Sequence, residues 1–295
     1  MFYKLFQGGL GVLKVPPVHL ELRPLNQDEK PYHAQPFPVP KCYEHTTKKE
    51  IQCLCNIGVL AKCNDSEWAA PTFIQPKKTG DVRVFTDFCI LNKYIRHKPY
   101  PLPKISDLLQ KLEGFTWATA LDLSMGYYHI LLLDKESSYL CTMILPWGKY
   151  QNCQLPMGLI GSPDIFQAII NDLMGDLQSV CAYLDDILLT TAGSFEQVEL
   201  VLQCLTEAGF AVNLLRKSSF AVTEIDNLGY WITRHGIQPH PKKGEAIVRL
   251  TPPTTKRQLR PFLGMINYYR DMWQRSRSYI LAPLMAMCSA KAKYV

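Results

Sequence analysis

No stretch of the 295-residue chain approaches the ~18 uninterrupted apolar residues that a membrane-crossing helix needs. Residues 1–15 are only weakly apolar, carry Lys4 and Lys14, and offer no small-residue cleavage site, so no signal peptide is expected. The ten cysteines form no framework. Cys53 and Cys55 have a single residue between them, where a zinc-ribbon pair takes roughly two to four. The others are scattered, which excludes a disulfide scaffold and predicts reduced, mostly buried thiols in an intracellular protein. There is no internal repeat. Neither sign of charge dominates: 20% of residues are charged and the net charge is +6. That basic excess suits a polyanionic partner without requiring one. With 47% hydrophobic residues, the chain can bury a sizeable core, as one large domain or two to three subdomains.

Seven prolines between residues 16 and 41 predict an extended arm, because proline fixes φ and removes a backbone donor. Residues 46–60 follow helical spacing, with Ile51, Leu54, Cys55 and Val59 near one face. Residues 73–88 read as a hairpin broken at Lys77-Lys78-Thr79-Gly80-Asp81, with Arg83 just beyond the turn. Ile105, Leu108, Leu109 and Leu112 predict a helix stopped at Gly114. Residues 116–123 read as a strand ending at Asp122. Ser162-Pro163-Asp164 predicts a helix start: cap, first-turn proline, then an acid near the positive helix end. Ile165, Phe166, Ile169, Ile170, Leu173 and Leu177 would form its buried face. Ser194 with Gln197 reads as a capping box opening a helix that Gly209 closes. The mixed order of hairpins and helices argues for an α+β fold.

Residues 180–190 are the most informative. Two apolar arms flank Asp185-Asp186, which predicts a β-hairpin with two carboxylates at its tip. An Asp-Asp pair also suits an ordinary polar turn, but apolar flanks desolvate the acids and raise the cost of two like charges. A divalent cation removes that cost. Asp122, at the end of another predicted strand, could add a third carboxylate. Three such acids can hold two ions about 4 Å apart for two-metal nucleotidyl transfer.

Tyr183-Leu184-Asp185-Asp186 resembles the Tyr-x-Asp-Asp box of reverse transcriptases, and residues 19–284 resemble the polymerase part of a gypsy-type long-terminal-repeat retrotransposon polyprotein. Trp68-Ala69-Ala70-Pro71, the Lys77 to Arg83 turn, Thr86-Asp87-Phe88 and Leu91-Asn92-Lys93 are similar to the family's fingers hairpin. Asp122-Leu123-Ser124-Met125-Gly126-Tyr127 resembles its first catalytic-acid motif. Leu155-Pro156-Met157-Gly158 with Ser162-Pro163-Asp164-Ile165-Phe166-Gln167 resembles the segment that packs on the nascent base pair. Leu228-Gly229-Tyr230-Trp231 resembles the primer grip.

The resemblance implies a right-hand polymerase with an antiparallel palm sheet backed by helices. It implies catalytic, metal-holding Asp122, Asp185 and Asp186, with the Leu123 backbone carbonyl as a further ligand to two Mg2+ ions, or Mn2+ in their place. It implies triphosphate contacts from Arg83 and either Lys77 or Lys78, a steric gate at Tyr127, a nucleotide contact from Met157 or Gly158, and Lys217 near the triphosphate. Leu228, Gly229 and Tyr230 would hold the primer end. The implied partition is an arm at 1–41, fingers at 42–100 and 132–162, palm at 101–131 and 163–240, and thumb with the start of a connection at 241–295. Lys242, Lys243, Lys256, Arg257 and Arg260 in that last part could track phosphates. The implied partners are an RNA or DNA template with primer and deoxynucleoside triphosphates, with no membrane, in a cytoplasmic particle or the nucleus. The chain departs from the family at Cys89, where arginine is usual, at Leu140-Cys141-Thr142-Met143, and at Pro261 inside a predicted helix. No protease box, zinc knuckle, integrase triad or ribonuclease H acid set is seen, so the chain reads as a portion of a longer polyprotein. The alternative is a catalytically weak or inactive remnant that only binds nucleic acid.

Overall fold

The computed structural model describes residues 2–288 apart from 7–10, 12, 25, 27–29, 104, 106–113, 124–134, 176, 178, 213–217, 239 and 269–276. In chain order the described elements are α1 (Lys41–Asn56), β1 (Leu60–Lys62), β2 (Ala70–Pro76), β3 (Val82–Thr86), β4 (Trp117–Asp122), α2 (Lys135–Leu140), β5 (Thr142–Leu145), β6 (Gly148–Asn152) and α3 (Ser162–Met174). Then come β7 (Val180–Tyr183), β8 (Asp186–Thr191), α4 (Glu196–Ala208), β9 (Ser219–Val222), β10 (Glu224–Asn227), β11 (Tyr230–Thr233), β12 (Gly236–Gln238), α5 (Pro241–Val248), α6 (Lys256–Tyr268) and α7 (Arg277–Met287). The fold is α+β, as the mixed order of elements predicts. Two compact units are built from interleaved segments. The first takes Met1–Leu102, Leu121–Ile187 and Phe195–Ser218; the second takes Pro103–Ala120, Leu188–Ser194 and Ser219–Val295.

The first unit contains a five-stranded sheet in the order β1-β6-β5-β2-β3, in which only β2 and β5 run parallel. Ile51, Leu54, Val59, Leu60, Met143 and Leu145 form a buried cluster between this sheet and α1. The helix expected at 46–60 runs instead from Lys41 to Asn56. Pro40 precedes its first turn, where no amide is needed, and Gly58 at φ +79° turns the chain away. Val59 and Leu60 extend the apolar pattern because the segment leading into β1 is buried in the same cluster, not because the helix continues. The predicted hairpin is β2–β3, paired from Thr72↔Thr86 to Pro76↔Val82.

The four-stranded sheet has the order β7-β8-β4-β9, and β4 and β8 each give residues to both units. In α4, Val198, Val201, Leu202 and Leu205 are buried at helical spacing, and Gly209 at φ +87° caps the end as expected. Its start differs from the capping-box reading: the first helical residue is Glu196, and the N-cap is Phe195 with no side-chain cap bond. The helix expected at 105–112 lies largely outside the described residues.

In the second unit, β10, β11 and β12 form an antiparallel meander. Leu228 at φ +52° and Gly229 at φ +82° join β10 to β11, the two positive φ angles of a type I′ turn, whose twist matches a hairpin. Pro261 does lie inside α6, where Leu259, Leu263 and Ile266 pack with Leu281 of α7. The expectation of mostly buried thiols is corrected. The ten cysteines are all described and none forms a disulfide, but only Cys63, Cys141 and Cys181 are buried, while Cys42, Cys53 and Cys89 are exposed. Cys53 and Cys89 occupy the solvent side of α1 and a surface turn, positions that apolar periodicity does not govern.

Candidate active site

Asp185 and Asp186 sit where β7 turns into β8, both half-buried. Leu184 makes the turn at φ +52°. A left-handed conformation costs an L-residue roughly 1–2 kcal/mol, so the turn must be held by its surroundings. Asp122 ends β4 and is 8% exposed. The next residue reaches across to the turn: the Leu123 N–H donates to the Asp185 carbonyl at 3.0 Å. The Asp122 N–H donates to Ser218 Oγ at 3.2 Å, and Leu123 bridges antiparallel to Val212. The three sequence-predicted acids therefore lie in one compact unit, on backbone segments joined directly. Among the described residues, no group of three or more His, Cys, Asp or Glu side chains could hold a metal ion as arranged. The donor set itself consists of hard oxygens, the kind that magnesium takes.

The β2–β3 loop is closed by the Lys77 N–H on the Asp81 carbonyl at 2.7 Å and by Gly80 at φ +87°. Lys77, Lys78 and Arg83 are all exposed. The Arg83 guanidinium lies 6.0 Å from the centre of the Phe85 ring, and Phe85 stacks on Phe73. Met157 is 48% exposed, and Gly158 takes φ +96°. Sequence reasoning missed how this segment is held. Asn92 Nδ2 donates to the Gly158 carbonyl at 2.9 Å, while Asn92 Oδ1 accepts the Ile160 N–H at 3.0 Å. A side-chain amide with both functions spent on backbone clamps a loop as a β-ladder would. Two residues before the 3-10 turn that carries Asn92 lies Cys89. Its N–H donates to Asp87 Oδ1 at 2.9 Å, and hydrogen bonding to that carboxylate pushes its thiol pKa up. Tyr127 and Lys217 lie outside the described residues. Leu228, Gly229 and Tyr230 are in the second unit, at the type I′ turn.

Helix α3 starts differently from the sequence expectation. Gly161 is the N-cap, and the Ser162 hydroxyl instead donates to the Pro156 carbonyl at 2.8 Å. Of the expected apolar face, Phe166 and Ile170 are buried, whereas Ile165, Ile169 and Leu173 are only half-buried. The helix also carries a polar stripe at 164, 167 and 171. Asp164 Oδ1 accepts the Tyr100 N–H at 2.8 Å, and His97 Nε2 lies 3.1 Å from Oδ2. Burial alone would raise the Asp164 pKa; the Tyr100 and His97 contacts outweigh it and hold the carboxyl below its ordinary 3.8. The folded state thus favours the carboxylate. Its contribution is complete above the ordinary pKa and is lost as pH falls through the lower folded value. Asp164→Asn should destabilise the chain by about 2 kcal/mol at pH 7, the scale of a charge-assisted hydrogen bond. In urea titrations the gap from the parent chain should shrink as pH drops below 3.8.

The family described as "Reverse transcriptase (RNA-dependent DNA polymerase)" matches residues 75–232, more than half of the chain. The Retrovirus-related Pol polyprotein from transposon opus of Drosophila melanogaster is 34% identical over 284 residues, covering 92% of this chain and 28% of that protein. The Transposon Tf2-3 polyprotein of Schizosaccharomyces pombe is 30% identical over 251 residues, covering 83% of this chain and 19% of its own. The chain thus spans under a third of these relatives. Among solved structures, the foamy viral protease-reverse transcriptase in complex with dsDNA aligns with a TM-score of 0.83 at 24% identity, over 100% of this chain and 62% of that one. The native prototype foamy virus protease-reverse transcriptase aligns at 0.72 and 27% identity, over 100% of this chain and 40% of that one. Among the described residues, no helix is long and apolar enough to cross a membrane.

Proposed function

The chain belongs to the reverse transcriptase family and has its right-hand polymerase fold, and from that premise we propose that it is an RNA-directed DNA polymerase domain, adding deoxynucleotides to a primer 3′-hydroxyl. The observation that most supports this reading is the 3.0 Å bond from the Leu123 N–H to the Asp185 carbonyl. It joins the strand end bearing Asp122 to the turn bearing Asp185 and Asp186. In this reading those three carboxylates and the Leu123 carbonyl hold two magnesium ions, with manganese as a substitute. Few protein carboxylates leave coordination positions for water and phosphate oxygens. Bound ions supply the charge that lowers the pKa of the 3′-hydroxyl and offsets that of the departing pyrophosphate.

The remaining residues position reactants. Arg83 offers a planar fork to the triphosphate, with Lys77 or Lys78 as a second contact. Gly158, which has no side chain, or Met157 would lie against the nucleotide, and Tyr127 would exclude a 2′-hydroxyl. Lys217 would sit near the triphosphate, and Leu228, Gly229 and Tyr230 would hold the primer end. The subdomains would be an arm at 1–41, fingers at 42–100 and 132–162, palm at 101–131 and 163–240, and thumb with the start of a connection at 241–295. Two of the similar foamy viral protease-reverse transcriptase structures are complexes with an RNA/DNA hybrid and with double-stranded DNA. A primed RNA or DNA template is the corresponding partner here, met inside the cell.

The test is primer extension on RNA with deoxynucleotides and magnesium. The chain should copy the template and stop when the metal is chelated. A folded chain that binds the primed template but never extends it would be the silent remnant instead. Arg83→Ala should raise the KM for deoxynucleotide about tenfold or more, with kcat little changed, the scale of a lost charge-assisted contact. Arg83→Lys should restore only part of that, because a point charge lacks the fork. An unchanged KM in Arg83→Ala would remove the fingers assignment.

A further inference from the structure

The Asp185–Asp186 turn holds a disfavoured backbone angle at Leu184, and one side chain supports it from below. Gln167 is fully buried in α3. Its Oε1 accepts the Leu184 N–H at 2.8 Å. Its Nε2 donates to the Ala182 carbonyl at 3.1 Å and to Asn171 Oδ1 at 2.9 Å. One acceptor and two donors are all directed at partners, so both halves of the amide are used. Asn171 in turn donates from Nδ2 to the Tyr100 hydroxyl at 3.0 Å. The chain of bonds ends where Asp164 takes the Tyr100 N–H. The stripe at 164, 167 and 171 thus anchors the turn to a rigid helix on one side, while the Leu123 N–H holds the Asp185 carbonyl on the other.

We propose that Gln167 is a positioning residue for the acidic turn, fixing the Leu184 backbone so that Asp185 stays docked on the strand end that carries Asp122. The inference rests on the polymerase reading for its kinetic consequence, but not for its structural one. An amide is required at this place. A carboxylate would offer only acceptors to the Ala182 carbonyl, and an apolar side chain would leave the Leu184 N–H without its partner. The residue touches neither substrate nor metal in this reading. It acts as a ligand's supporting partner does, by orienting what it holds.

The experiment uses the full chain and two variants, Gln167→Leu and the near-isosteric Gln167→Met, both of which lack the amide. Hydrogen exchange at the Leu184 amide should be about tenfold faster in the variants, with α4 amides unchanged, because only the local unit opens. In primer extension, kcat should fall about 10- to 100-fold, with the deoxynucleotide KM near its parent value. The magnesium concentration for half-maximal rate should rise, which a loss of general stability would not produce. Unchanged exchange at Leu184 in either folded variant overturns the proposal, as does faster exchange with unchanged kcat and magnesium dependence. If Gln167→Leu does not fold, Gln167→Met decides in the same way. If the parent chain does not polymerise, the polymerase reading fails by itself, and the exchange rates alone then decide the role of Gln167.

Discussion

Asp185→Asn should slow primer extension by roughly 10³-fold or more while leaving the fold and the affinity for primed template close to those of the parent chain. A group that offsets charge developing in the transition state is worth on that order when it is removed, because the loss falls on kcat and not on binding. Asparagine keeps the volume and one carbonyl oxygen but removes the negative charge that draws a divalent ion. The backbone bond from Leu123 reaches the Asp185 carbonyl, not its side chain. The substitution should therefore leave the docking of turn on strand intact. Circular dichroism and gel-shift titration would check fold and binding, and single-turnover extension would check the rate. Extension within tenfold of the parent would remove Asp185 from the metal-holding set.

Phe166→Ala should cost about 3–5 kcal/mol, the largest stability effect expected of any single change in α3. Phe166 is fully buried and meets Phe210 edge-on, ring centres 6.3 Å apart at 82°. Truncation loses the transfer energy of the ring, its aromatic pairing and the packing around the hole left behind. The midpoint of urea unfolding should drop accordingly. Phe166→Leu should recover much of the loss, since it restores most of the volume. A shift under about 1 kcal/mol for the alanine variant would mean that the cavity collapses around the site.

The frame of the acidic candidate site was legible because its signals are strong and local. Apolar arms around Asp185-Asp186 specify a hairpin, and a strand that runs out at Asp122 specifies a partner for it. The loop at residues 77–81 announces itself through Gly80, which accepts an unusual backbone angle, whereas the Leu228-Gly229 turn comes only with the family resemblance, since leucine does not favour the positive φ it takes there. What supports the frame was not legible. Asp164, Gln167 and Asn171 look like the solvent side of an amphipathic helix, since periodicity scores polar residues as exposed. They are drawn inward by partners far along the chain, at residues 97–100 and 182–184, which no local window contains. Asn92 is similar: its role depends on a loop 66 residues away. Ser162 and Ser194 misled for the opposite reason. Each fits a local capping pattern, but Ser162 spends its hydroxyl on the Pro156 carbonyl, and the helix after Ser194 begins later.

The interleaving of the two units constrains how this polypeptide can be made and dissected. The first unit is not closed until Phe195–Ser218 has joined segments that precede it, and the second draws on Pro103–Ala120 and Leu188–Ser194 before its long final stretch. During synthesis, most of the chain must leave the ribosome before either unit has all its parts, so early segments wait with apolar surface uncovered. Proteolytic trimming cannot release one unit with a single cut. A soluble half-molecule for biophysics would have to be rejoined with new linkers, not excised.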